Sequence, residues 1–407
     1  MRIGFVSTWF ERGAAYVTRA YIEALKDVHD VYVYARGGEY FSKKDPNWDH
    51  DYVTWGLRLG GTSICWRHFK KWVNSNNIEI VFFNEQKDLD IITRLKQKMP
   101  QLKIGSYIDY YKLDTIESFN LYDFLICNTE RHYSVFKDHS QSFYVPWGVD
   151  TNFFKPKEIE NDKEQLVFFH SAGVSARKGT DILVKAFIDG GLFKKSRLII
   201  HTQSDLRITY GLHSKKLKEF NIEIIHKTVP PPGLYYLGDI YVYPTYLEGL
   251  GLTIYEAMAS GLPVITTNYA PMNEIVDDEV GKLVQIEKIV SRQDGYYWPL
   301  TICNKGSLID AMQFYLDNFD EIKKFKQKAR KKAYQDLEWS QRYEKIREIF
   351  LSTQILERDK NEVKKFSNQV TSAKKRSWKL ILLDQIPFCT LKHVIWTRHE
   401  KKSRKFE

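Results

Sequence analysis

Residues 239–265 read DIYVYPTYLEGLGLTIYEAMASGLPVI. The run DIYVYPT has the composition of a buried strand, and Gly249 and Gly251 just after it allow a tight turn whose backbone can approach a ligand. From Thr253 the pattern becomes helical, Gly261 stops it, and Pro263 opens a further strand. The spacing predicts that Thr253 caps this helix and that Glu256, three residues on, completes a capping box.

A strand, a glycine turn and a helix start together form an anion site, because unpaired amides and the helix dipole both favour a phosphate. Glu248 sits on the lip of that turn. A phosphate would repel its carboxylate, so it is expected to accept hydrogen bonds from neutral hydroxyls nearby. Glu256 carries two compatible readings, the cap and a ligand contact.

The stretch HSAGVSARKGTDIL, residues 170–183, repeats the logic. A strand should end at Gly173, a loop should hold Arg177 and Lys178, and Thr180 or Asp181 should cap a helix. Adjacent cations at the carboxyl end of a strand suit a diphosphate, which arginine can hold in bidentate fashion. The same pair can also be an ordinary solvated surface.

Further out, RIGFVST, DVYVYA, IEIVFFN, KIGSYI and DFLICN alternate with helical patterns in the first third. QLVFFHSAG, SRLIIHT, IEIIHK, DIYVYPT and PVITT do so afterwards. Such alternation implies two α/β domains with doubly wound parallel sheets. FYVPWGVDTNFF, with its Pro and Gly, marks the passage between them. The expected organisation is a domain over 1–150, a second over 151–340, a helix over 341–357 packing back, and a basic amphipathic tail over 358–407.

Composition bounds the chemistry. The 407 residues are enough for two full cores, and a 43% hydrophobic share fits a globular protein. Cys65, Cys127, Cys303 and Cys389 form no CxxC pair, so neither a disulfide scaffold nor a cysteine zinc site is indicated. No apolar run approaches the length of a transmembrane helix, and a cytoplasmic protein is the expectation. Of the formal net charge of +10, the tail carries +9, with 14 Lys and Arg against 5 Asp and Glu.

EGLGLTIYEAMASGLPVI, with Glu248 and Glu256 in E-x7-E spacing, resembles the signature of retaining nucleotide-sugar glycosyltransferases of the GT-B fold, family four. PWGVDTNFF resembles their inter-domain segment, and Gly173, Arg177, Lys178 and Gly179 resemble their phosphate loop. The resemblance implies two Rossmann-like domains facing a cleft. Glu248 would then hold donor-sugar hydroxyls and Glu256 the nucleotide ribose. The amides of Gly249, Leu250 and Gly251 would meet the diphosphate, which Arg177 and Lys178 would neutralise. Gly13 would match the N-terminal glycine loop, although this chain has Gly-Ala-Ala there. Many members place a histidine after the strand that reads KIGSYIDYYK here. This chain offers Tyr107, Asp109 and Tyr110, with Asp109 as the substitute or else a turn residue.

Asp88-Leu89-Asp90 is a DxD of the kind that holds a divalent ion in metal-dependent glycosyltransferases. It also fits the acidic first turn of a helix, the reading adopted here. No HxxH, HExxH, Walker or G-x-S-x-G pattern occurs, and neither metal nor cofactor is expected beyond the nucleoside-diphosphate sugar. The acceptor would be a glycan or a lipid-linked sugar. The tail interleaves Trp378, Leu380, Ile381, Leu382, Phe388, Ile395 and Trp396 with cations, which suits either a solvated end or an anionic membrane surface. Nucleic acid is not expected, since no recognised module accompanies the charge. A non-catalytic sugar-nucleotide sensor or scaffold is the rival class.

Overall fold

The computed structural model describes residues 1–37, 42–59, 61–157, 165–211 and 214–375. They form two compact units. Unit 1 holds Met1–Asn128, His132–Val145 and the chain from Tyr343, and unit 2 holds Thr129–Arg131 and Pro146–Arg342.

In chain order unit 1 begins with β1 (Arg2–Thr8), α1 (Gly13–Leu25), β2 (Asp30–Arg36), β3 (Val53–Trp55), α2 (Trp66–Ser75) and β4 (Ile80–Phe83). It continues with α3 (Asp90–Lys98), β5 (Lys103–Tyr107) and β6 (Phe124–Cys127), and β7 (Ser142–Tyr144) comes after α4 (Glu130–Phe136). The seven strands pair in the order β3-β2-β1-β4-β5-β6-β7. Every pairing is parallel, so consecutive strands need crossovers and both faces must be covered. That is why IVFF and FLIC are buried throughout rather than alternating.

Unit 2 contains β8 (Leu166–Gly173), α5 (Thr180–Asp189), β9 (Ser196–Thr202), α6 (Leu206–Tyr210), α7 (Ser214–Lys218), β10 (Ile222–His226) and β11 (Ile240–Tyr243). α8 (Leu252–Ala259), β12 (Val264–Thr267), α9 (Met272–Ile275), β13 (Gly281–Val284), the hairpin β14 (Ile286–Val290) and β15 (Leu300–Cys303), α10 (Lys305–Asp317) and α11 (Ile322–Asp336) follow. The main sheet runs β10-β9-β8-β11-β12-β13, again wholly parallel. Its strand order reverses between β8 and β11. Ligands of such sheets bind outside the carboxyl ends of the strands at this switch point.

After unit 2 the chain rejoins unit 1 through α12 (Tyr343–Ser352) and α13 (Lys360–Lys375). Phe350 of α12 packs its ring 5.2 Å from both Phe82 and Phe124, and Arg347 donates to the Ala24 carbonyl. A buried ion pair then anchors the segment after α12. Asp123, with no exposed surface, accepts from Lys96 Nζ at 2.6 Å, Ile104 N at 2.7 Å and Leu356 N at 2.9 Å.

The expected tail starts at Arg358. Its first part is a helix docked on unit 1 through buried Val363 and Phe366, which replaces the solvated end for that stretch. Trp378, Leu380, Ile381, Leu382, Phe388, Ile395 and Trp396 lie outside the described residues. Among the described residues no helix is long and apolar enough to cross a membrane.

Candidate functional site

β8 and β11 are neighbours in the sheet, so their carboxyl ends deliver two loops side by side. The first loop runs from Gly173, at φ +58°, to Gly179, and the second from Pro244 to Gly251. They are tied together where the Arg177 carbonyl accepts the Tyr246 N–H at 2.8 Å and the Thr245 hydroxyl at 3.2 Å. They also approach so closely that a Cβ on Gly179 would lie 2.0 Å from the Pro244 carbonyl oxygen. Only glycine fits there, and its φ of +73° suits glycine as well.

His170 locks the same junction from inside β8. A carbonyl can only accept, so Nδ1 donates to Val242 O at 2.7 Å and Nε2 accepts from the Thr180 hydroxyl at 2.9 Å. Burial pushes its pKa down to about 4, which leaves it neutral around pH 7.

This junction places Lys178 against Glu248. The ammonium donates to Glu248 Oε1 at 2.6 Å, with only 16% of the lysine and 8% of the glutamate side chain exposed. The same oxygen accepts from the Thr245 hydroxyl at 2.7 Å and the Tyr243 hydroxyl at 2.8 Å. Burial by itself would raise the Glu248 carboxyl, but the Lys178 and Arg177 charges outweigh it and hold its pKa below the usual value. Burial also lowers the Lys178 ammonium against the pull of Glu248.

Beyond Glu248 the backbone opens. The N–H groups of Gly249, Leu250 and Gly251 donate to no other described residue. Gly251, at φ +77°, is the N-cap of α8, so these amides stand at the positive end of a helix dipole.

The capping box expected here does not form. With Gly251 as N-cap, Thr253 and Glu256 lie two residues too deep for the reciprocal bonds, and α8 has no side-chain cap. The Glu256 carboxylate accepts instead from the Tyr235 hydroxyl at 2.5 Å. Burial pushes its pKa up to about 6, and the Tyr235 hydrogen bond offsets that only in part. α5 corrects the parallel expectation at Thr180 and Asp181. Its N-cap is Gly179, Thr180 serves His170, and Asp181 accepts from the Tyr246 hydroxyl.

Of the residues singled out from sequence, Glu248, Arg177, Lys178, Gly173, Gly249, Leu250, Gly251 and Glu256 all fall on the two loops and the helix that follows them in unit 2. Gly13 and Asp109 belong to unit 1. Gly13 is the exposed first residue of α1, and Asp109 lies partly exposed two residues beyond β5. Tyr107 is buried near Tyr21, whereas Tyr110 lies under the Lys87 ammonium at 3.6 Å. Asp88 and Asp90 take the helix-start role. Asp88 accepts the Asp90 N–H and the Ser63 hydroxyl, and Asp90 pairs with Arg94. Among the described residues no group of three His, Cys, Asp or Glu could hold a metal ion.

Sequence reading missed Tyr243, Thr245 and Tyr235, whose hydroxyls hold the two acids. It also missed Arg131, grouped with unit 2, whose guanidinium donates to the carbonyls of Glu248 and Ala270. No local signal marks Arg131, because its partners lie more than a hundred residues away.

Two parallel-sheet units, of seven and six strands, have the architecture of the GT-B fold. Residues 151–332 match the family model "Glycosyl transferases group 1". Over 186 residues the chain is 28% identical to D-inositol 3-phosphate glycosyltransferase of Arthrobacter sp. (strain FB24), covering 40% of this chain and 42% of the relative. Over 166 residues it is 25% identical to the lipopolysaccharide core biosynthesis mannosyltransferase LpsB of Rhizobium meliloti (strain 1021), covering 36% and 47%. The chain thus spans less than half the length of these curated relatives. The fold superposes on Anabaena Alr3699/HepE, solved in complex with UDP and glucose, with a TM-score of 0.67 at 15% identity, over 86% of this chain and all of that one.

Proposed function

We propose that this protein transfers a sugar from a nucleoside diphosphate to an acceptor hydroxyl with retention of configuration, in the synthesis of a surface polysaccharide, lipopolysaccharide or glycolipid. The observation that carries this reading is the ionised, buried Glu248 beside the open amides at the start of α8. One group accepts hydroxyls and the other receives phosphate oxygens, and they follow one another along the chain. The complexes of Alr3699/HepE with UDP and glucose support the same donor chemistry.

In the reaction the anomeric carbon–oxygen bond breaks and its electron pair leaves with the diphosphate. The acceptor hydroxyl forms the new bond and passes its proton to an oxygen of the departing diphosphate. Negative charge grows on the leaving group, so the amides of Gly249, Leu250 and Gly251 and the cations Arg177 and Lys178 stabilise the transition state more than the ground state. Such preorganised donors contribute roughly 3 kcal/mol each. Glu248 orients the sugar and Glu256 the ribose. Gly13 and Asp109 are assigned to the N-terminal side of the reaction, Asp109 in place of a histidine. The chemistry needs no metal, since these groups supply the positive charge.

The test is release of nucleoside diphosphate from a panel of nucleotide sugars, for the wild type and for Glu248→Ala and Lys178→Ala. Loss of about a hundredfold in each variant is expected. Unchanged turnover in both would overturn the site.

A further inference from the structure

Each of the two glutamates is held by a tyrosine that no sequence motif includes. Tyr243, on β11, donates its hydroxyl to Glu248 Oε1 at 2.8 Å, and Tyr235, in the turn before β11, donates to Glu256 Oε2 at 2.5 Å. Tyr241 lies between them. Its ring is stacked on Tyr243 at 5.4 Å and 20°, and set edge-on to Tyr235 at 5.6 Å and 73°. All three rings are buried, with 5%, 0% and 1% exposure for Tyr235, Tyr241 and Tyr243. The acids are therefore braced from below by one aromatic stack.

The bracing is one-sided on both acids. Glu248 Oε1 takes three donors, Lys178, Thr245 and Tyr243, while Oε2 takes none from the described residues. Glu256 Oε2 takes Tyr235, while Oε1 takes none from the described residues. In each case one oxygen is committed to the protein and its twin is left as an acceptor. A carboxylate pinned through one oxygen cannot rotate without breaking those bonds, so the direction of the remaining lone pairs is fixed. Burial raises all three tyrosine hydroxyls well above their usual pKa, so each remains a donor across the working range.

We propose that Tyr243 and Tyr235 are positioning residues that split donor recognition in two, Tyr243 aiming Glu248 Oε2 at the sugar and Tyr235 aiming Glu256 Oε1 at the nucleoside. This rests on the donor reading above. It predicts a dissociation that a merely structural role would not produce. Without the Tyr243 hydroxyl, Glu248 keeps Lys178 and Thr245 but loses one of the three bonds that fix its direction, so Oε2 is aimed less tightly and the sugar suffers while the nucleotide does not. Without the Tyr235 hydroxyl, Glu256 loses its one side-chain partner among the described residues, so the nucleotide itself suffers.

The experiment uses the full chain with three single substitutions, Tyr243→Phe, Tyr235→Phe and Tyr241→Phe. Thermal unfolding, calorimetric affinity for UDP, GDP and ADP, and turnover of the corresponding nucleotide sugars are measured for each. Tyr243→Phe should leave nucleoside diphosphate affinity within about twofold of wild type and lower turnover about tenfold, the value of one hydrogen bond to a charged group. Tyr235→Phe should weaken the nucleoside diphosphate about tenfold and move the pH at which affinity is half lost upward. Tyr241→Phe removes a buried hydroxyl that touches neither acid, and it should change neither property. Equal effects of all three variants, or loss of nucleotide affinity in Tyr243→Phe, would overturn the positioning roles while leaving the donor reading intact. A wild type that binds no nucleoside diphosphate and turns over no nucleotide sugar would remove the donor reading and this proposal with it.

Discussion

Lys178 Nζ lies 2.6 Å from Glu248 Oε1 in a site almost closed to water, so two groups assigned to the donor are bonded to one another. Breaking a buried pair by removing one partner leaves the other as an uncompensated charge and costs about 3–5 kcal/mol. Glu248→Leu should therefore destabilise unit 2 by about that amount, because Lys178 then faces only Arg177 and neutral groups. Lys178→Met should cost less, because Glu248 keeps the Thr245 and Tyr243 hydroxyls. The double variant should recover to within about 1–2 kcal/mol of wild type while remaining inactive. Denaturant titration of all four proteins checks this, and additive losses would deny the coupling.

Glu256 makes a different trade. Its pKa rises from 4.5 to about 6, so the folded protein binds that proton more tightly than the unfolded chain. The stabilising contribution is full below about pH 4.5 and is lost as pH rises through about 6, leaving a cost of about 2 kcal/mol at higher pH. Glu256→Gln should then be more stable than wild type by up to about 2 kcal/mol at pH 8, with the difference fading toward pH 4.5. Its nucleotide affinity should fall about tenfold at pH 8, since the acceptor charge is gone. Melting curves at several pH values measure the first effect and nucleotide titration the second.

The contrast between these acids explains what was legible from sequence. Both sheets could be read because buried parallel strands are nearly continuous apolar runs, as in IVFF, FLIC and IYVY. The edge strands Val53–Trp55 and Ser142–Tyr144 escaped because three half-buried residues carry no such run. Glu248 and Glu256 stood out by position, but the capping box assigned to Glu256 was wrong. Counting three residues from Thr253 assumes that the helix starts there, whereas the left-handed Gly251 starts it earlier and turns Glu256 toward Tyr235. Tyr241 and Tyr243 read as residues of a buried strand and Tyr235 stood out by nothing, while all three are core aromatics. That two of them also hold the acids depends on side-chain direction, which composition does not encode.

The glycines of the two loops should separate into two grades. Gly251→Ala meets nothing closer than 3.4 Å, so its cost is the left-handed backbone alone, about 1–2 kcal/mol. Gly179→Ala puts its Cβ 2.0 Å from the Pro244 carbonyl oxygen, which is backbone and cannot swing aside. The loops must part, and with them go the Tyr246 N–H to Arg177 carbonyl bond and the register of Lys178 over Glu248. Gly179→Ala should lose more than about 3 kcal/mol and all detectable transfer, while Gly251→Ala folds with reduced nucleotide affinity. Denaturant titration and the donor assay together distinguish these grades, and similar behaviour of the two variants would refute the close approach.

In unit 1 the Asp123 carboxylate has no exposed surface and gathers one cation and two backbone donors from three parts of the chain, Lys96, Ile104 and Leu356. Burial lowers the Lys96 ammonium, and the Asp123 charge raises it again in part. Asp123→Asn keeps the shape but removes the charge and sets an amide donor against a backbone N–H, so it should cost about 3–5 kcal/mol. The loss should be felt far along the chain. Leu356 belongs to the segment that carries α12 into α13, so amide exchange there and at Ile104 should accelerate together while β8 and β11 keep their protection. Lys96→Met should restore part of the stability to Asp123→Asn by removing the orphaned cation, without restoring protection at Leu356. Hydrogen exchange that leaves the segment around Leu356 as protected as in wild type would show that α12, and not this carboxylate, holds the chain in place.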